Sequence, residues 1–239
     1  MYEVTFVIPF HNEKDNAGSM LDRVLQFGKS KKWKFEIIPV NDRSNDETRE
    51  ILEKYAKRYK NIFPQHRKDG GELGNTMGLA LQKGTRFAKS KIIIWTMGDL
   101  SDDTQTYKDM IDKIHQGYDM VFGSRYMPGG SRGNLDAIKA FLSSNGTLLA
   151  RIIFGVPVHD ITNAFRAFNK SVFTQVKPKG KGFDISPEFA IKAHQLGFKL
   201  GEVPTVYTNR KRGIPNFKLW KMAISYLKIY YSLLKKPAK

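Results

Sequence analysis

Residues 92–103 read Ile-Ile-Ile-Trp-Thr-Met-Gly-Asp-Leu-Ser-Asp-Asp, an apolar run that ends in a polar cluster. The apolar part, Ile92–Met97, is short and rich in β-branched residues, which predicts a strand buried on both faces of a sheet. The polar part, Gly98–Asp103, places three carboxylates directly after that strand. Such a cluster suits a divalent cation, Mg²⁺ or Mn²⁺, whose shell substrate phosphates complete. The alternative is a solvated turn before a helix N-terminus, where aspartate is favoured.

Strands and helices alternate on both sides of this stretch. Further strands are predicted at Val4–Ile8, Phe35–Asn41 and Asp119–Gly123, with a shorter one at Ile62–His66. The predicted helices are Asn16–Phe27, Asp46–Tyr59, Asn75–Ala88, Thr106–Gln116 and, after a Gly-rich loop, Asp136–Phe154. This alternation predicts a single α/β domain, an open and mostly parallel sheet flanked by helices. Pro39 lies inside the second strand and has no N–H, so we expect a bulge or a sheet edge there.

Polar clusters follow three of the predicted strands. They are Pro9–Glu13, Asn41–Asp46 and Gly98–Asp103. Because ligands of open parallel sheets bind outside the carboxyl ends of the strands, the three clusters are expected to line one crevice. Helix capping explains Asp46 but not Asp42, which stands at the strand tip. A carboxylate there can accept hydrogen bonds from a nucleobase or from ribose hydroxyls.

Composition narrows the class of protein. The 239 residues contain no cysteine, which excludes disulfides and thiolate metal sites. The net charge of +17 favours a polyanionic partner such as nucleic acid, an anionic membrane or a phosphorylated substrate, although general lysine enrichment would give the same number. Met1 leads straight into a strand without a signal-like segment, and no apolar run is long enough to span a bilayer. We therefore expect a protein that is neither secreted nor membrane-spanning.

The C-terminal segment Phe217–Lys236 has the pattern of an amphipathic helix. Its lysines and serines fall within an arc of about 100°, and apolar and aromatic residues fill the remainder. A wide apolar face beside a lysine stripe is typical of a helix that lies in a membrane interface. A helix packed on the core or in a dimer interface would show the same pattern.

Basic side chains are frequent in the second half of the chain. They lie in predicted loops or at strand ends, and guanidinium groups in such positions suit phosphate recognition, although any one of them taken alone is more often a solvated surface charge. These residues are Arg125, Arg132, Arg166, Arg210, Lys211 and Arg212.

Six motifs, taken in order, resemble those of a known family. They are Val7–Glu13, Val40–Asp46, Gly98–Asp103, Gly123–Gly130, Asp160–Phe168 and Arg210–Gly213. With them, nearly the whole chain resembles a family 2 glycosyltransferase of the GT-A (Rossmann-like) fold, similar to dolichol-phosphate mannose synthases and other polyprenyl-phosphate glycosyltransferases. The resemblance divides the chain into a catalytic domain, 1–215, and an amphipathic basic helix and tail, 216–239. Within the domain it implies a nucleotide-sugar half at about 1–123 and an acceptor half at 124–215.

The resemblance also implies roles for individual residues. The nucleotide-sugar site would contain Pro9, His11, Glu13, Asn41, Asp42, Gly98, Asp99, Arg210 and Lys218. The acceptor phosphate would meet Ser124, Arg125 and Arg132. The catalytic residues would be Asp99, Arg125, Asp160 and Arg166. The cofactor would be Mg²⁺ or Mn²⁺, bound by Asp99 with Asp102 or Asp103.

The sequence departs from the family pattern near that metal. Met97 stands where the family has the first aspartate of its Asp-X-Asp motif. In the second motif, Asn41 and Arg43 replace the usual aspartate and glycine, and Pro215-Asn216 replaces the Ser-Lys that usually follows the last motif. These departures leave the metal ligands open and allow a degenerate transferase that binds nucleotide sugar without turnover.

The function implied by the resemblance is inverting transfer of a hexose, mannose or glucose, to a polyprenyl or dolichyl phosphate. The donor would be GDP-mannose or UDP-glucose, and the protein would be cytoplasmic and peripheral on the inner face of a membrane with an anionic surface.

One alternative is transfer to a hydroxyl, whose proton must go to a base such as Asp160, Asp184 or Glu188. Another is a basic protein that binds nucleotide sugar or nucleic acid without catalysis. No nucleic-acid motif is present, so nucleic acid is not an expected partner. A sugar nucleotidyltransferase is disfavoured because Pro9–Glu13 contains no glycine.

Overall fold

The computed structural model describes residues 2–68, 70, 76–208 and 219–235, apart from the side chains of 219–222. The strands are β1 (Val4–Phe10), β2 (Phe35–Asp42), β3 (Gln65–Arg67), β4 (Ile92–Trp95), β5 (Met120–Ser124), β6 (Arg166–Asn169) and β7 (Leu200–Pro204). The helices are α1 (Lys14–Ser30), α2 (Thr48–Arg58), α3 (Met77–Phe87), α4 (Thr106–His115), α5 (Ala137–Phe154), α6 (Lys170–Val176), α7 (Ile185–Gln195) and α8 (Leu219–Lys235).

These strands form one sheet in the order β3-β2-β1-β4-β6-β5-β7. The pairs β1–β2, β1–β4, β2–β3 and β5–β7 are parallel, whereas β6 runs antiparallel to both of its neighbours. The prediction of an open, mostly parallel α/β sheet is therefore confirmed. Because β6 is reversed, its amino end lies at the same edge of the sheet as the carboxyl ends of the other strands.

The sheet is covered on both faces, as the continuous apolar strands predict. Along β1, Phe6 and Ile8 pack on one face, where α1 and α4 contribute the covering side chains. Val7 points to the opposite face and packs with Trp95 and with residues of α3 and α7. Alternation along the strand thus assigns successive residues to two separate cores.

Pro39 does not produce the bulge or edge expected from the sequence. It pairs in register with Ile8 within an unbroken β1–β2 ladder, and β2 is second from the edge of the sheet. The N–H of Ile37, two residues earlier, donates to the carbonyl of Asn61 on the other side of β2. The backbone nitrogen of Pro39, which has no hydrogen, therefore faces β3, the outermost strand. The pairing between β2 and β3 begins only at Val40 and Gln65. A proline fits because no strand hydrogen bond is needed at that point.

Helix α8 confirms the predicted C-terminal amphipathic helix, with one side buried and the other exposed. Tyr226, Tyr230 and Leu233 are buried, and the Tyr230 hydroxyl donates to the carbonyl of Gly146 on α5 at 2.8 Å. The opposite side of α8 remains exposed. None of the helices within the described residues combines the length and the apolar character needed to cross a bilayer.

Candidate active site

The carboxyl ends of β1 and β2 carry two loops that hold each other. The Asn12 amide donates to the Ser44 hydroxyl at 3.0 Å, and the Asn45 amide donates to the Asn12 side-chain oxygen at 2.9 Å. The His11 Nδ1 lies 2.6 Å from the Asp42 carbonyl oxygen, so this nitrogen carries the proton. Two of the sequence-predicted clusters are thereby joined, with Pro9 and His11 half-buried at the junction.

The remaining residues assigned to these two loops are largely inside the protein. The Glu13 carboxylate is 7% exposed and accepts from the Asn16 side-chain amide at 2.6 Å. The Asn41 side-chain oxygen accepts from the Ser44 amide at 3.1 Å and so shapes the turn after β2. Both side chains therefore stabilise the loops after β1 and β2 through hydrogen bonds inside the protein.

Asp42 at the tip of β2 is the centre of a polar network. One carboxylate oxygen is paired with the Arg67 guanidinium, and the other accepts from the Thr76 hydroxyl at 2.6 Å. The Thr76 hydroxyl in turn accepts from Arg43 at 3.3 Å. Asp42 is only 4% exposed, so the network holds its carboxylate in one orientation.

The loop after β4 presents Asp99 beside these two loops. A Cβ on Gly98 would lie 2.5 Å from the Phe10 ring and 2.8 Å from the Pro9 carbonyl, so only glycine lets the loop pack this closely on the end of β1. Leu100 follows with a φ of 67°, a left-handed conformation that is strained for leucine. Asn12 and Arg43 share that conformation, so each of the three loops contains one such residue.

Arg23 of α1 supports the Asp99 loop from below. Its guanidinium donates to the carbonyls of Leu100 and Asp102, at 3.2 and 3.4 Å. Two carbonyls on either side of the loop tip are thus held by one planar group. Nothing in the sequence pattern singles out this arginine, because it lies on a helix far along the chain from the loop it supports.

The three carboxylates of this loop occupy different environments. Asp99 is half-buried and accepts from the Ser101 amide at 3.1 Å, and Asp103 accepts from the Gln105 amide at 3.0 Å near the start of α4. Asp102 is buried and accepts from the Met97 amide at 2.8 Å and the Thr96 hydroxyl at 3.0 Å. Burial raises the pKa of Asp102 to about 7 against the lowering effect of the Met97 hydrogen bond.

This arrangement can hold a divalent cation in one particular way. Among the described residues, no three His, Cys, Asp or Glu side chains converge on a common point. Mg²⁺, however, is usually bound by one or two carboxylates together with substrate phosphates, and Asp99 is exposed enough to serve as one of them. The residues therefore fit a cation that arrives with a diphosphate, with Asp99 as the protein ligand nearest the crevice and Asp102 held back by its own hydrogen bonds.

On the acceptor side, Arg125 and Asp160 form a closed ion pair. The Arg125 Nε and Nη2 donate to the two oxygens of Asp160 at 2.7 and 3.0 Å, and the Arg125 amide donates at 3.1 Å. Asp160 is fully buried and also accepts from the Thr162 hydroxyl and the Asn163 amide. Although burial disfavours the charged guanidinium, the Asp160 carboxylate raises the pKa of Arg125 above its usual value.

Arg166 lies at the amino end of β6 and is fully buried. Its guanidinium donates to four backbone carbonyls, those of Ile161, Asn163, Ala164 and Ser186. It also lies over the Phe122 ring, 4.6 Å from the centroid. Burial lowers the pKa of Arg166 to about 9. The structure places this predicted catalytic residue beneath the site, where it ties the loop before β6 to the start of α7.

The other predicted acceptor residues are split between interior and surface. Ser124 is buried, and its hydroxyl accepts from the Met127 amide at 3.2 Å. Arg132 is exposed on the loop that follows. That loop pairs with the segment after β7, because the Ser131 amide donates to the Thr205 carbonyl at 2.9 Å. Arg210, Lys211, Arg212 and Lys218 lie outside the described residues.

The segment after β7 connects the two sides of the site. The Thr208 amide donates to the carbonyl of Ser101 in the Asp99 loop at 3.1 Å, while Tyr207 pairs with Ser131 at 2.9 Å. The Asp99 loop and the loop that carries Arg132 are thus bridged by a few residues of backbone.

The two remaining carboxylates named as possible bases lie at the start of α7. Glu188 is 2% exposed, and its carboxylate accepts from the amides of Lys179 and Gly180 and is paired with Lys192. Asp184 is half-buried and accepts from the Gly182 amide at 2.8 Å. Glu188 is therefore committed to holding the loop before α7, whereas Asp184 has a single bond within its own turn.

Sequence reasoning missed several residues that shape the site. Arg67 ends β3, and the strand-end rule would have identified it if that strand had been placed at its observed position instead of at Ile62–His66. Thr76, Thr162 and Arg23 each form hydrogen bonds to residues that lie far away in sequence. Such contacts leave no local pattern, because side-chain partners are set by the tertiary fold.

Comparisons with known proteins show the family of the chain. The model of the family described as Glycosyl transferase family 2 matches residues 5–176, more than half of the chain. The chain is 27% identical over 212 residues to polyprenol monophosphomannose synthase of Mycolicibacterium smegmatis, covering 87% of this chain and 78% of that protein. It is 27% identical over 235 residues to dolichol-phosphate mannosyltransferase of Pyrococcus furiosus, covering 98% of this chain. It spans 64% of that relative, less than two thirds of its length.

A solved structure shows the same architecture. The crystal structure of glucosyl-3-phosphoglycerate synthase from Mycobacterium tuberculosis in complex with Mn²⁺, UDP and phosphoglyceric acid superposes with a TM-score of 0.69. The two chains are 14% identical, and the match covers 98% of this chain and 78% of the other. The likeness shows the GT-A fold.

Proposed function

The chain belongs to glycosyl transferase family 2 and is a glycosyltransferase, and on that premise we propose that it transfers a hexose from a nucleotide diphosphate-sugar to a polyprenyl phosphate. The reaction proposed is a direct displacement that inverts the anomeric carbon. GDP-mannose and UDP-glucose are the donors to test, with mannose favoured by the names of the two mannosyl-transferring relatives.

The observation that supports this proposal is that an acidic loop and an arginine-bearing loop lie at the same edge of the sheet. Asp99 is presented after β4, and the Arg125–Asp160 pair stands at the end of β5. The segment 205–208 bonds to both surrounding loops, through Ser101 and Ser131. A carboxylate on one loop and the arginines Arg125 and Arg132 on the other match a substrate pair in which a metal-bearing diphosphate meets an anionic acceptor.

The residues of the chain would divide the work between donor and acceptor. The β1 and β2 loops, with His11 and Asp42, would hold the nucleoside. Arg210, which lies outside the described residues, would meet the diphosphate, as the family resemblance implies. A divalent cation, when bound at Asp99, would neutralise charge that develops on the diphosphate leaving group. Arg125 and Arg132 would orient the acceptor phosphate, with Asp160 fixing the direction of the Arg125 guanidinium.

A phosphate acceptor also suits the carboxylates of this site. A phosphate monoester is already anionic and needs no general base, whereas a hydroxyl acceptor must lose a proton. Asp160 accepts five hydrogen bonds and is fully buried, and Glu188 is engaged by two amides and Lys192. Both are poorly placed to take a proton from a substrate. Asp184 is the remaining candidate base.

The site of action proposed is the cytoplasmic face of a membrane, with the protein bound peripherally. A net charge of +17 favours an anionic surface, and α8 has an exposed apolar side. A polyprenyl phosphate resides in such a surface because its chain is apolar and its head group is charged.

The experiment that tests the proposal measures transfer of labelled sugar into an organic-extractable lipid. GDP-mannose and UDP-glucose are supplied separately with a polyprenyl phosphate, in Mg²⁺, in Mn²⁺ and in EDTA. Metal-dependent labelling of the lipid from one donor is the expected result. No labelling, with donor binding intact, would contradict the lipid phosphate acceptor.

A single substitution separates the two acceptor classes. Asp184→Asn removes the remaining candidate base and is expected to leave lipid labelling within about twofold of the wild type, since a phosphate acceptor needs no base. A loss of about a hundredfold or more with an unchanged unfolding transition would instead indicate a hydroxyl acceptor.

A further inference from the structure

We propose that α5, together with α8, forms one apolar face that inserts into the surface of an anionic lipid bilayer, with α5 as the element nearest the acceptor site. The proposal rests on the proposed function in one respect, that the acceptor is a membrane lipid. It adds that α5, which no sequence pattern had marked as a membrane helix, embeds beside the C-terminal helix.

The exposed apolar side chains of α5 lie on one side of the helix. At 100° per residue they fall within an arc of about 100°. Their exposed fractions range from 37% for Leu149 to 73% for Ile152. They are Ile138, Phe141, Leu148, Leu149 and Ile152. Asn145 is also exposed within this arc, and its side-chain amide donates to the Phe141 carbonyl at 2.8 Å. A mainly apolar stripe of this kind marks an interaction surface, whereas scattered apolar residues do not.

Helix α8 presents a second stripe with the same geometry. Ile224, Leu227, Tyr231 and Leu234 are each at least half exposed and fall within an arc of about 80°. The two helices pack against each other, and Tyr230 bonds to the α5 backbone at Gly146. The stripes therefore belong to neighbouring helices that are held together from the inside.

The inner side of α5 is built into the acceptor site. The hydroxyl of Tyr126, the neighbour of Arg125, bonds to Ser143 and to the Ala140 carbonyl. The Thr147 hydroxyl accepts from the Ile161 amide at 3.3 Å, next to Asp160. One helix thus contacts the sequence neighbours of Arg125 and Asp160 on one side and exposes large apolar side chains on the other. A lipid whose phosphate reaches Arg125 would have its chain close to that outer side.

Charge identifies the bilayer as the occupant. Neither α5 nor α8 contains an aspartate or glutamate. Exposed cations border the stripes, Arg151 on α5 and Lys228 and Lys235 on α8, and Lys235 lies over the Tyr231 ring at 4.6 Å. Apolar side chains flanked by basic and aromatic groups are the composition of interfacial helices. A second copy of the chain would bring these cations together, which a net charge of +17 on each copy disfavours.

The test uses the full chain and vesicles that contain equal parts of phosphatidylglycerol and phosphatidylcholine. Phe141→Ser with Ile152→Ser removes the two most exposed side chains of the α5 stripe. The matched control is Phe87→Ser on α3, which removes an aromatic ring that is 54% exposed but lies outside the proposed face. Co-sedimentation gives the apparent affinity, and sedimentation velocity without lipid gives the oligomeric state.

The double variant is expected to bind these vesicles at least about tenfold more weakly than the wild type, while Phe87→Ser binds normally. Wild-type binding to pure phosphatidylcholine vesicles is expected to be weaker than to the anionic ones. Equal vesicle binding by the wild type and the double variant would overturn the proposal. The proposal would also be overturned if the wild type were a dimer that does not bind vesicles and the double variant were a monomer. The apolar face would then be an interface with a second copy.

Transfer to a short-chain polyprenyl phosphate in detergent keeps this inference separate from the proposed function. The double variant is expected to retain that transfer, because its substitutions face away from the Arg125–Asp160 pair. Lost vesicle binding without any transfer by the wild type would support the bilayer face while contradicting the proposed acceptor. If the wild type transferred sugar normally and the double variant bound vesicles as well as the wild type, the bilayer face would be contradicted and the proposed acceptor would not.

Discussion

The two ends of the crevice each hold an aspartate against an arginine, but they do so to different degrees. Asp42, on the nucleotide side, is paired with Arg67 and accepts from Thr76, and it retains 4% exposure. Asp160, on the acceptor side, receives three bonds from Arg125 alone and is fully buried. An ion pair closed in this way fixes its members but leaves a buried charge if either is removed. The acceptor side is therefore the more rigid and the more vulnerable of the two.

The largest effect is expected from breaking the pair on the acceptor side. Asp160→Asn leaves the Arg125 guanidinium largely buried without its counter-ion, which should reduce the free energy of unfolding by about 3–5 kcal/mol. Urea denaturation followed by circular dichroism measures this loss. Asp136→Asn, at the exposed start of α5, is the control for removing one negative charge.

The rigid character of that pair has its own check. Replacing both members, Arg125→Met with Asp160→Leu, removes the buried charge and should recover part of the lost stability, while sugar transfer is expected to be lost because Arg125 is absent. A single Asp160→Asn variant that unfolds within about 1 kcal/mol of the wild type would show that the acceptor side is no more closed than the nucleotide side.

A second prediction concerns the carboxylate between the two ends. Burial raises the pKa of Asp102 to about 7, above its value in the unfolded chain. The native state then holds this proton more tightly, so the free energy of unfolding falls as the pH rises from about 4 to about 7. Asp102→Asn keeps an acceptor for the Met97 amide but cannot ionise. Between pH 5 and pH 8 the metal-free wild type should lose about 2–3 kcal/mol more than the variant.

Urea denaturation at both pH values, in EDTA, measures that difference. Parallel pH profiles for the wild type and Asp102→Asn would mean that Asp102 is charged throughout. It would then stand beside Asp99 as a second available carboxylate, and the nucleotide side would carry more negative charge than the structure indicates.

A third, smaller effect is expected on the nucleotide side. Arg67→Met removes one partner of Asp42 but leaves the Thr76 hydroxyl bonded to it and the Arg43 Nε 3.8 Å from its carboxylate. The loss in stability is expected to be about 1–2 kcal/mol, less than for Asp160→Asn. Calorimetry with UDP and GDP should show weaker nucleotide binding, and Lys83→Met, which removes a nearby cation bonded to the His66 carbonyl, is the control. An equal loss for Arg67→Met and Asp160→Asn would remove the contrast between the two ends.

The same contrast explains how far the sequence predicts this molecule. The nucleotide side is made of consecutive βαβ units, so apolar runs such as Ile92–Trp95 predict the strands, and the polar residues after them predict the crevice. The acceptor side depends on β6, a four-residue strand inserted antiparallel between β4 and β5. No local pattern predicts that placement.

Individual site residues follow the same rule. Asp42 and Asp99 could be identified because a carboxylate at a strand end has a position that the strand pattern defines. The burial of Arg166 could not be foreseen, since its four carbonyl partners come from the loop before β6 and from α7. Its sequence context instead favoured a solvated surface charge, with phosphate recognition as the alternative, because a charged side chain in a loop is normally exposed.

The smallest effect is expected from Arg23, a residue far along the chain from the Asp99 loop that it supports. Its replacement tests whether such a distant side chain holds the nucleotide side as firmly as Asp160 holds the acceptor side. Arg23→Gln removes the group that bonds the carbonyls of Leu100 and Asp102, yet the loop keeps the Met97–Asp102 bond. Stability should fall by less than about 1 kcal/mol. Mn²⁺ binding in the presence of UDP, followed by electron paramagnetic resonance, should weaken about threefold to tenfold, because Asp99 would lose its fixed direction. Arg49→Gln on α2 is the control, and unchanged Mn²⁺ binding would mean that Gly98 and Leu100 alone set the loop.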